Sequence, residues 1–197
     1  MKTPSESIGK RRERWGERIF VHLLAACALA GTLPFPAGAA SDPGEYDVKA
    51  ALLFNFAKFV EWPAGSFAAV DDPFVIGVVG SDPFGHSLER TLAGQTIGGR
   101  RIQIRRWKKA RELGACQVLF VAASEQEDVR GLLDGMKGRP VLSVSDMSDF
   151  ASDGGIIGLV MDHHRVRFEI NQNRADRAGL KLSSRLLSLA HLVQARN

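Results

Sequence analysis

The sequence predicts an α/β sandwich with a largely parallel sheet flanked by helices and an antiparallel hairpin near the C-terminus. The apolar runs at residues 74–79, 118–121 and 141–144 have the length and composition of buried parallel strands. Helical patterns separate these runs, as expected for crossover connections between parallel strands. Two further apolar runs, residues 155–161 and 166–170, flank a short polar turn and predict the hairpin.

Two helices are predicted in the first half of the domain. Residues 47–60 are apolar on nearly every side of a helix, so we expect other elements to cover most of it. Trp62-Pro63 ends this helix because proline cannot continue it. Asp82 then predicts a helix start, with its side chain as the cap and Pro83 in the first turn, and the helix reaches about residue 93.

The middle of the chain predicts one more strand and one more helix. Residues 101–106 alternate, with isoleucines on one face and polar side chains on the other. Ser124 and Glu127, three residues apart, match a capping box, which predicts a helix that reaches Met136.

The C-terminal segment is predicted to be one long helix over residues 174–193. Leu182, Leu186, Leu189 and Val193 recur at helical spacing, so we expect them to form a stripe that packs on the core.

The first forty residues have the parts of a secretory signal. A basic opening precedes an apolar run at residues 19–33, and Ala37-Gly38-Ala39 offers small residues for cleavage. We therefore predict a signal peptide at residues 1–40, a single α/β domain at residues 41–197, and a mature protein outside the cytoplasm. The alternative is a lipoprotein, since the residues that precede Cys27 resemble a lipobox and Cys27 would then carry the lipid anchor.

Export changes the balance of charges and cysteines. The full chain has 26 basic and 22 acidic residues, and removal of residues 1–40 leaves 20 and 19, so a nucleic-acid partner has little electrostatic support. Cys116 is then the one cysteine left, and it cannot form an internal disulfide. Because it opens an apolar run, we predict an unpaired, buried small hydrophobe.

One stretch resembles a phosphate-binding loop. Gly80, Gly85, His86 and Ser87 stand at the required spacing, but His86 takes the place of the lysine. Histidine is largely neutral at pH 7, and Pro83 lacks the N–H group that such a loop would use. We therefore interpret this stretch as a strand end followed by a helix start.

The other polar motifs predict neither catalysis nor metal binding. Asp82, His86 and Ser87 lie within one turn, where adjacent helical positions do not face each other, and no nucleophile elbow is present. His163-His164 and Asp162 lie on the hairpin turn, without further ligands at metal-binding spacing. We predict no catalytic residue, no metal and no cofactor.

Two groups of residues are candidates for contact with a partner protein. One group lies along an edge of the predicted helix at residues 47–60 and at its C-terminal end, where positions three and four residues apart share a face. The two aromatic residues of this group could instead belong to the core. The second is a pair on one face of a hairpin strand, which ordinary solvated polarity explains equally well. The candidate partner-binding residues are Asn55, Lys58, Phe59, Trp62, Arg167 and Glu169.

Five stretches of the sequence together resemble the YfiR-like family of periplasmic regulators. In chain order they are EYDVKAALLFNFAKFVEWP, VIGVVGSDPFG, CQVLFVAASE, LSVSDMSDFASDGGIIGLV and VRFEINQNRADRAGLKLSSRLLSLA, which span nearly all of residues 45–193. The resemblance implies a non-enzymatic periplasmic α/β protein, often dimeric. It would bind the periplasmic domain of an inner-membrane diguanylate cyclase and thereby limit cyclic di-GMP and biofilm formation.

The resemblance leaves one alternative function and one departure from the family. The alternative is a soluble periplasmic sensor that binds a small ligand and passes the signal to a sensor kinase or another membrane partner.

The departure concerns a cysteine that family members often pair with the one matching Cys116. Gly77 occupies that position here, so redox control by this disulfide does not transfer to the chain.

We expect the exported protein to begin near residue 40 and to carry no lipid, because Ala39 ends a good cleavage site. Mass spectrometry of the protein from a periplasmic fraction would show a chain without the leader, and a Cys27→Ala variant would be processed in the same way. A membrane-bound form that begins at a lipidated Cys27, or a cytosolic form that keeps the leader, would contradict this expectation.

Overall fold

The structure, a computed structural model, describes residues 44–163 and 165–196. The predicted signal peptide, Cys27 and His164 lie outside the described residues. The helices are α1 (Glu45–Lys58), α2 (Ser87–Leu92), α3 (Val129–Gly135), α4 (Gln172–Arg177) and α5 (Ser184–Leu187). The strands are β1 (Val60–Glu61), β2 (Phe74–Val79), β3 (Thr96–Ile97), β4 (Arg100–Trp107), β5 (Val118–Val121), β6 (Leu142–Ser145), β7 (Ile157–Asp162), β8 (Arg165–Ile170), β9 (Lys181–Leu182) and β10 (His191–Leu192).

Eight strands form one mixed sheet in the order β10-β8-β7-β6-β5-β2-β4-β3. Five of the neighbouring pairs are parallel, whereas β7–β8 and β3–β4 are antiparallel. The predicted α/β class, with a largely parallel sheet and a late antiparallel hairpin, is confirmed. The apolar runs predicted as β2 and β5 match the observed strands residue for residue, because both are buried on two faces.

Each face of the sheet has its own apolar core. On one face α1 packs against the sheet through Leu53, Phe56 and other buried side chains, and the ring of Phe56 meets that of Phe168 on β8 edge to face at 5.0 Å. On the other face α3 and the segment after β4 cover Val75, Val79, Leu119 and Val121. Among the described residues, no helix has the length and apolar character needed to cross a membrane.

The second predicted helix begins later than its sequence indicates. Asp82 does cap a turn, since its Oδ1 accepts a hydrogen bond from the N–H of Phe84 at 2.8 Å. Gly85 then adopts a φ of +53°, which interrupts any helix that begins at residue 83. The α-helix therefore starts at Ser87, and the predicted start at Asp82 is wrong.

The predicted capping box at Ser124 and Glu127 is also wrong. Ser124 lies in a 3₁₀ turn at Ala123–Glu125, and α3 begins only after Asp128. The Ser124 hydroxyl instead accepts a hydrogen bond from the N–H of Ser81 at 2.8 Å. It therefore connects the loops that follow two adjacent parallel strands, β2 and β5, rather than its own helix.

The long C-terminal helix does not form. After α4 the chain turns at Gly179, whose φ is +72°, and Leu180 is fully buried. The chain then pairs β9 with β1 and places β10 parallel to β8 at the sheet edge. Of the predicted stripe, Leu186 is buried, Leu182 and Val193 are half-buried, and Leu189 is 68% exposed.

Gly77 is one of the glycines, with Gly155 beside the ring of Phe150, at which the core leaves no room for a side chain. It lies in the middle of β2, where a Cβ atom would overlap the ring of Trp107 and approach Leu119 Cδ1 to 3.3 Å. The indole thus fills the space above this position, and the close contact of ring and strand depends on glycine.

We expect Gly77→Ala to lower the free energy of unfolding by about 1–3 kcal/mol, because the added methyl group overpacks the core against Trp107. A matched control is Gly131→Ala in α3, where a Cβ would meet nothing within 4 Å. This control should stabilise the protein by up to about 1 kcal/mol, since alanine favours a helix over glycine. Urea unfolding measures both, and equal effects of the two substitutions would refute the packing role of Gly77.

Candidate functional site

A buried lysine with two carboxylate partners lies where α1 meets the end of β6. Lys49 is 3% exposed, and its Nζ lies 2.6 Å from Asp146 Oδ2 and 2.5 Å from Glu45 Oε1. The hydroxyl of Tyr46 donates a second hydrogen bond to Asp146 Oδ2 at 3.0 Å, and the lysine ammonium lies 4.4 Å from the centre of the Tyr46 ring. We call Glu45, Tyr46, Lys49 and Asp146 the Lys49 cluster.

The topology of the sheet brings the members of this cluster together. Asp146 directly follows the carboxyl end of β6, and the turn after β2 ends at the same edge because the strands are parallel. From that turn Phe84 packs edge-on against Tyr46 at 5.4 Å and against Phe120 at 4.7 Å. Three of the quoted stretches, EYDVKA, SDPFG and SDMSD, therefore meet at one edge.

The charged and hydrogen-bonding groups of the Lys49 cluster are paired with one another, and the pKa values of Lys49 and Tyr46 are both raised. Burial alone would lower the pKa of Lys49, but the hydrogen bonds with Asp146 and Glu45 outweigh burial and raise it. Burial and the hydrogen bond to Asp146 raise the pKa of Tyr46. Among the described residues, no buried side-chain nitrogen or oxygen lacks a hydrogen-bond partner. The buried ammonium of Lys49 is therefore fully paired within the cluster.

The first group of predicted partner-binding residues is divided between surface and core. Asn55 and Lys58 are exposed. Trp62 is half-buried, with its Nε1–H donating to the carbonyl of Ala57 at 3.3 Å and its ring edge-on to Phe74 at 5.2 Å. Phe59 is half-buried as well, with the guanidinium of Arg185 at 5.6 Å from its ring. Both aromatic residues thus pack against the core, while Asn55 and Lys58 present an exposed edge of α1.

The second group, Arg167 and Glu169, lies on the other face of the sheet. On β8 the alternating Val166 and Phe168 pack under α1, so Arg167 and Glu169 point to the opposite side. Arg167 Nε lies 3.9 Å from Asp162 Oδ2 on the neighbouring strand. The structure therefore does not bring the two groups together, and their roles in binding stay predictions.

Of the residues in the motifs that resemble catalytic or metal sites, Ser87 has structural contacts and the two described histidines are exposed. Ser87 is buried, and its hydroxyl accepts a hydrogen bond from Arg90, which also pairs with Asp47 of α1 at 2.6 Å. His86 is exposed at the start of α2 and His163 is exposed on the hairpin turn. No group of three or more His, Cys, Asp or Glu side chains in the described part of the chain could hold a metal ion.

Cys116 is buried, as predicted, and its thiol is free in the described part of the chain. Burial raises its pKa to about 12, although the charges of Arg139 and Arg105 act in the opposite direction. The thiol is therefore protonated and unreactive at neutral pH. Gly77, where the resemblance places a second cysteine, lies under the indole of Trp107 on the same face of the sheet.

Sequence reasoning missed the Lys49 cluster, although one signal was available. Lys49 lies within an apolar helix, and a lysine that is buried there needs an anionic partner, whereas Lys58 at the end of the helix can reach solvent. Nothing in the sequence indicates that this partner is Asp146, 97 residues away.

A family model described as YfiR/HmsC-like matches residues 46–191. The matched segment contains Tyr46, Lys49, Phe84 and Asp146, and it extends from the start of α1 to β10.

We expect Lys49→Met to lower the free energy of unfolding by about 3 kcal/mol, because it leaves the Asp146 carboxylate largely buried without its cation. Lys58→Met on the exposed side of the same helix is the control and should change stability by less than about 0.5 kcal/mol. Urea unfolding at pH 7 measures both variants. Equal stabilities would show that the cluster does not hold α1 in place.

We expect the stability of the protein to fall as the pH rises above 9. The unfolded thiol of Cys116 ionises near pH 9.0 and the folded thiol near 12, so the folded state binds more protons in this window. The raised pKa values of Tyr46 and Lys49 act in the same direction at higher pH. Unfolding free energies measured between pH 8 and 11 should decline less steeply for Cys116→Ala, by up to about 1.4 kcal/mol per pH unit. Parallel profiles would contradict the burial of the thiol.

Proposed function

Because the chain belongs to the YfiR/HmsC-like family, we propose that it is a periplasmic, non-enzymatic regulator of an inner-membrane diguanylate cyclase. In this proposal it binds the periplasmic domain of the cyclase and holds the enzyme inactive. Cyclic di-GMP is made on the cytoplasmic side, so the regulator acts by protein contact and not on the nucleotide. The match over residues 46–191 is the observation that carries the proposal.

The chemistry of the described residues supports action by contact. The buried Lys49 is paired with Asp146 inside the fold, and the buried thiol of Cys116 is protonated. The exposed edge of α1 with Asn55 and Lys58 stands on a helix whose other side is anchored in the core. A rigid helix with an exposed edge is suited to protein recognition because little order is lost when a partner binds.

The two candidate groups would act separately. Since Arg167 and Glu169 lie on the opposite face of the sheet from α1, one flat partner surface cannot contact both. One group could contact the cyclase while the other contacts a second copy of the chain, in agreement with the dimers that the family resemblance implies.

We expect deletion of the gene to raise cellular cyclic di-GMP and surface attachment, and the wild-type gene to return both to their original levels.

The variants Lys58→Glu and Arg167→Glu, tested one at a time, would show which face contacts the cyclase, because a reversed charge at an interface weakens binding without unfolding the protein. Arg130→Glu in α3 is the control, as it makes the same charge change on another element. Unchanged cyclic di-GMP after deletion, in cells shown to express the protein, would refute the proposal.

A further inference from the structure

The connection between β4 and β5 lacks the helix that normally covers a parallel crossover. It contains a 3₁₀ turn at Ala110–Glu112 and no α-helix, whereas the next crossover on the same face contains α3. A groove of about 720 Å³ lies between this connection and α3. Leu113, Leu132 and Met136 are among its apolar lining residues. We call it the α3 groove.

The α3 groove is lined by cations. Lys108, Lys109 and Arg111 come from the connection, and Arg139 comes from the segment after α3. Within the described residues, none of these four has a carboxylate within 4.0 Å.

Two carboxylates, Glu125 and Asp128, also line the groove, so the cations outnumber the anions. Because residues 41–197 carry 20 basic and 19 acidic side chains, this excess of positive charge is local to the groove. An anionic occupant would satisfy charges that the fold itself leaves without partners.

Two glycines of α3 keep the groove open. Gly131 and Gly135, one turn apart, both line it, and a Cβ atom on either would meet nothing within 4 Å. Neither glycine has a positive φ, so neither is required by the backbone. Glycine in a helix interior lowers stability by about 1 kcal/mol relative to alanine, so Gly131 weakens α3 although the described structure has room for a side chain there. Because the two glycines have no side chains, an occupant of the groove can approach the backbone of α3 closely.

We propose that the α3 groove binds an acidic segment of a partner protein, with carboxylates on the four cations and an apolar side chain on Leu113 and Met136. The proposal rests on the proposed function only for the identity of that partner, the periplasmic domain of the cyclase. Lipid headgroups would satisfy the cations, but they offer no apolar side chain to the half-buried Leu113 and the buried Met136, so a peptide segment that carries both carboxylates and an apolar side chain fits the groove better. The leader of this chain is basic and does not suit the groove.

Binding of a model peptide to the exported protein tests this proposal. The probe is a short fluorescein-labelled peptide of glutamate and leucine, and the matched peptide has glutamine in place of glutamate. We expect the acidic peptide to bind, with affinity that falls as salt is added, and the glutamine peptide not to bind. The variant Lys109→Glu/Arg111→Glu should weaken binding at least about tenfold.

A second variant separates binding from folding. Gly131→Gln fills the groove without a change of charge, and glutamine is a better helix former than glycine, so the melting temperature should stay the same or rise while binding is lost. Arg130→Glu, the neighbouring residue on the same helix, does not line the groove and should bind the peptide like the wild type. Equal binding by all variants, or no binding by the wild-type protein, would overturn the proposal.

Two further measurements test whether the groove binds a membrane surface instead of a peptide, and whether a failure belongs to the groove or to the proposed function. The proposal would be overturned in favour of a membrane surface if the wild-type protein binds phosphatidylglycerol vesicles but not the peptide, and if the Gly131→Gln variant binds the vesicles equally well. In cells, Gly131→Gln should fail to restore low cyclic di-GMP in the deletion strain, whereas Arg130→Glu should restore it. If deletion itself has no effect, the proposed function fails, and the peptide measurement still decides whether the groove binds an acidic segment.

Discussion

The ammonium group of Lys49 cannot be buried without anionic partners, and this requirement determines how α1 lies on the sheet. Its partners come from the same helix, through Glu45, and from the residue after β6, Asp146. Asp146 follows β6, a strand in the middle of the sheet, so the ion pair connects α1 to the central strands. Phe84 and Tyr46 close the same edge with apolar contacts. Once α1 is held there, its apolar side is directed into the core and Asn55 and Lys58 are left on the surface.

The two faces of the sheet differ in how completely they are covered. The face under α1 and α2 has a continuous core in which even Trp62 is packed against Phe74. On the opposite face, within the described part of the chain, α3 covers the crossover from β5 to β6, whereas the connection from β4 to β5 contains a 3₁₀ turn instead of an α-helix. Trp107 compensates in part by lying over Gly77, and the α3 groove is what remains. The face under α1 thus contributes a continuous core, whereas the opposite face leaves a groove open to solvent.

The central strands could be predicted because their physical cause is local. A strand that is buried on both faces must be apolar at every position, and residues 74–79 and 118–121 are. The helix limits were less predictable because their causes are not local. Ser124 matches a capping box, yet its hydroxyl binds the N–H of Ser81 from another loop. The leucine spacing after residue 180 matches a helix, yet Gly179 turns the chain so that β9 can pair with β1.

The candidate sites show the same difference between features with a local cause, which the sequence predicts, and features with a non-local cause, which it does not. The sequence by itself determined the α/β class, the central strands, the hairpin and the burial of Cys116, since each depends on the polarity of neighbouring residues. It also indicated that Lys49 is a cation on a largely apolar helix. Only the tertiary structure decided that Asp146 is its partner, that Arg167 and Glu169 lie on the opposite face from α1, and that Lys108 and Arg139 line one groove. These residues are far apart in the chain, and their proximity depends on the strand order of the sheet, which local composition does not encode.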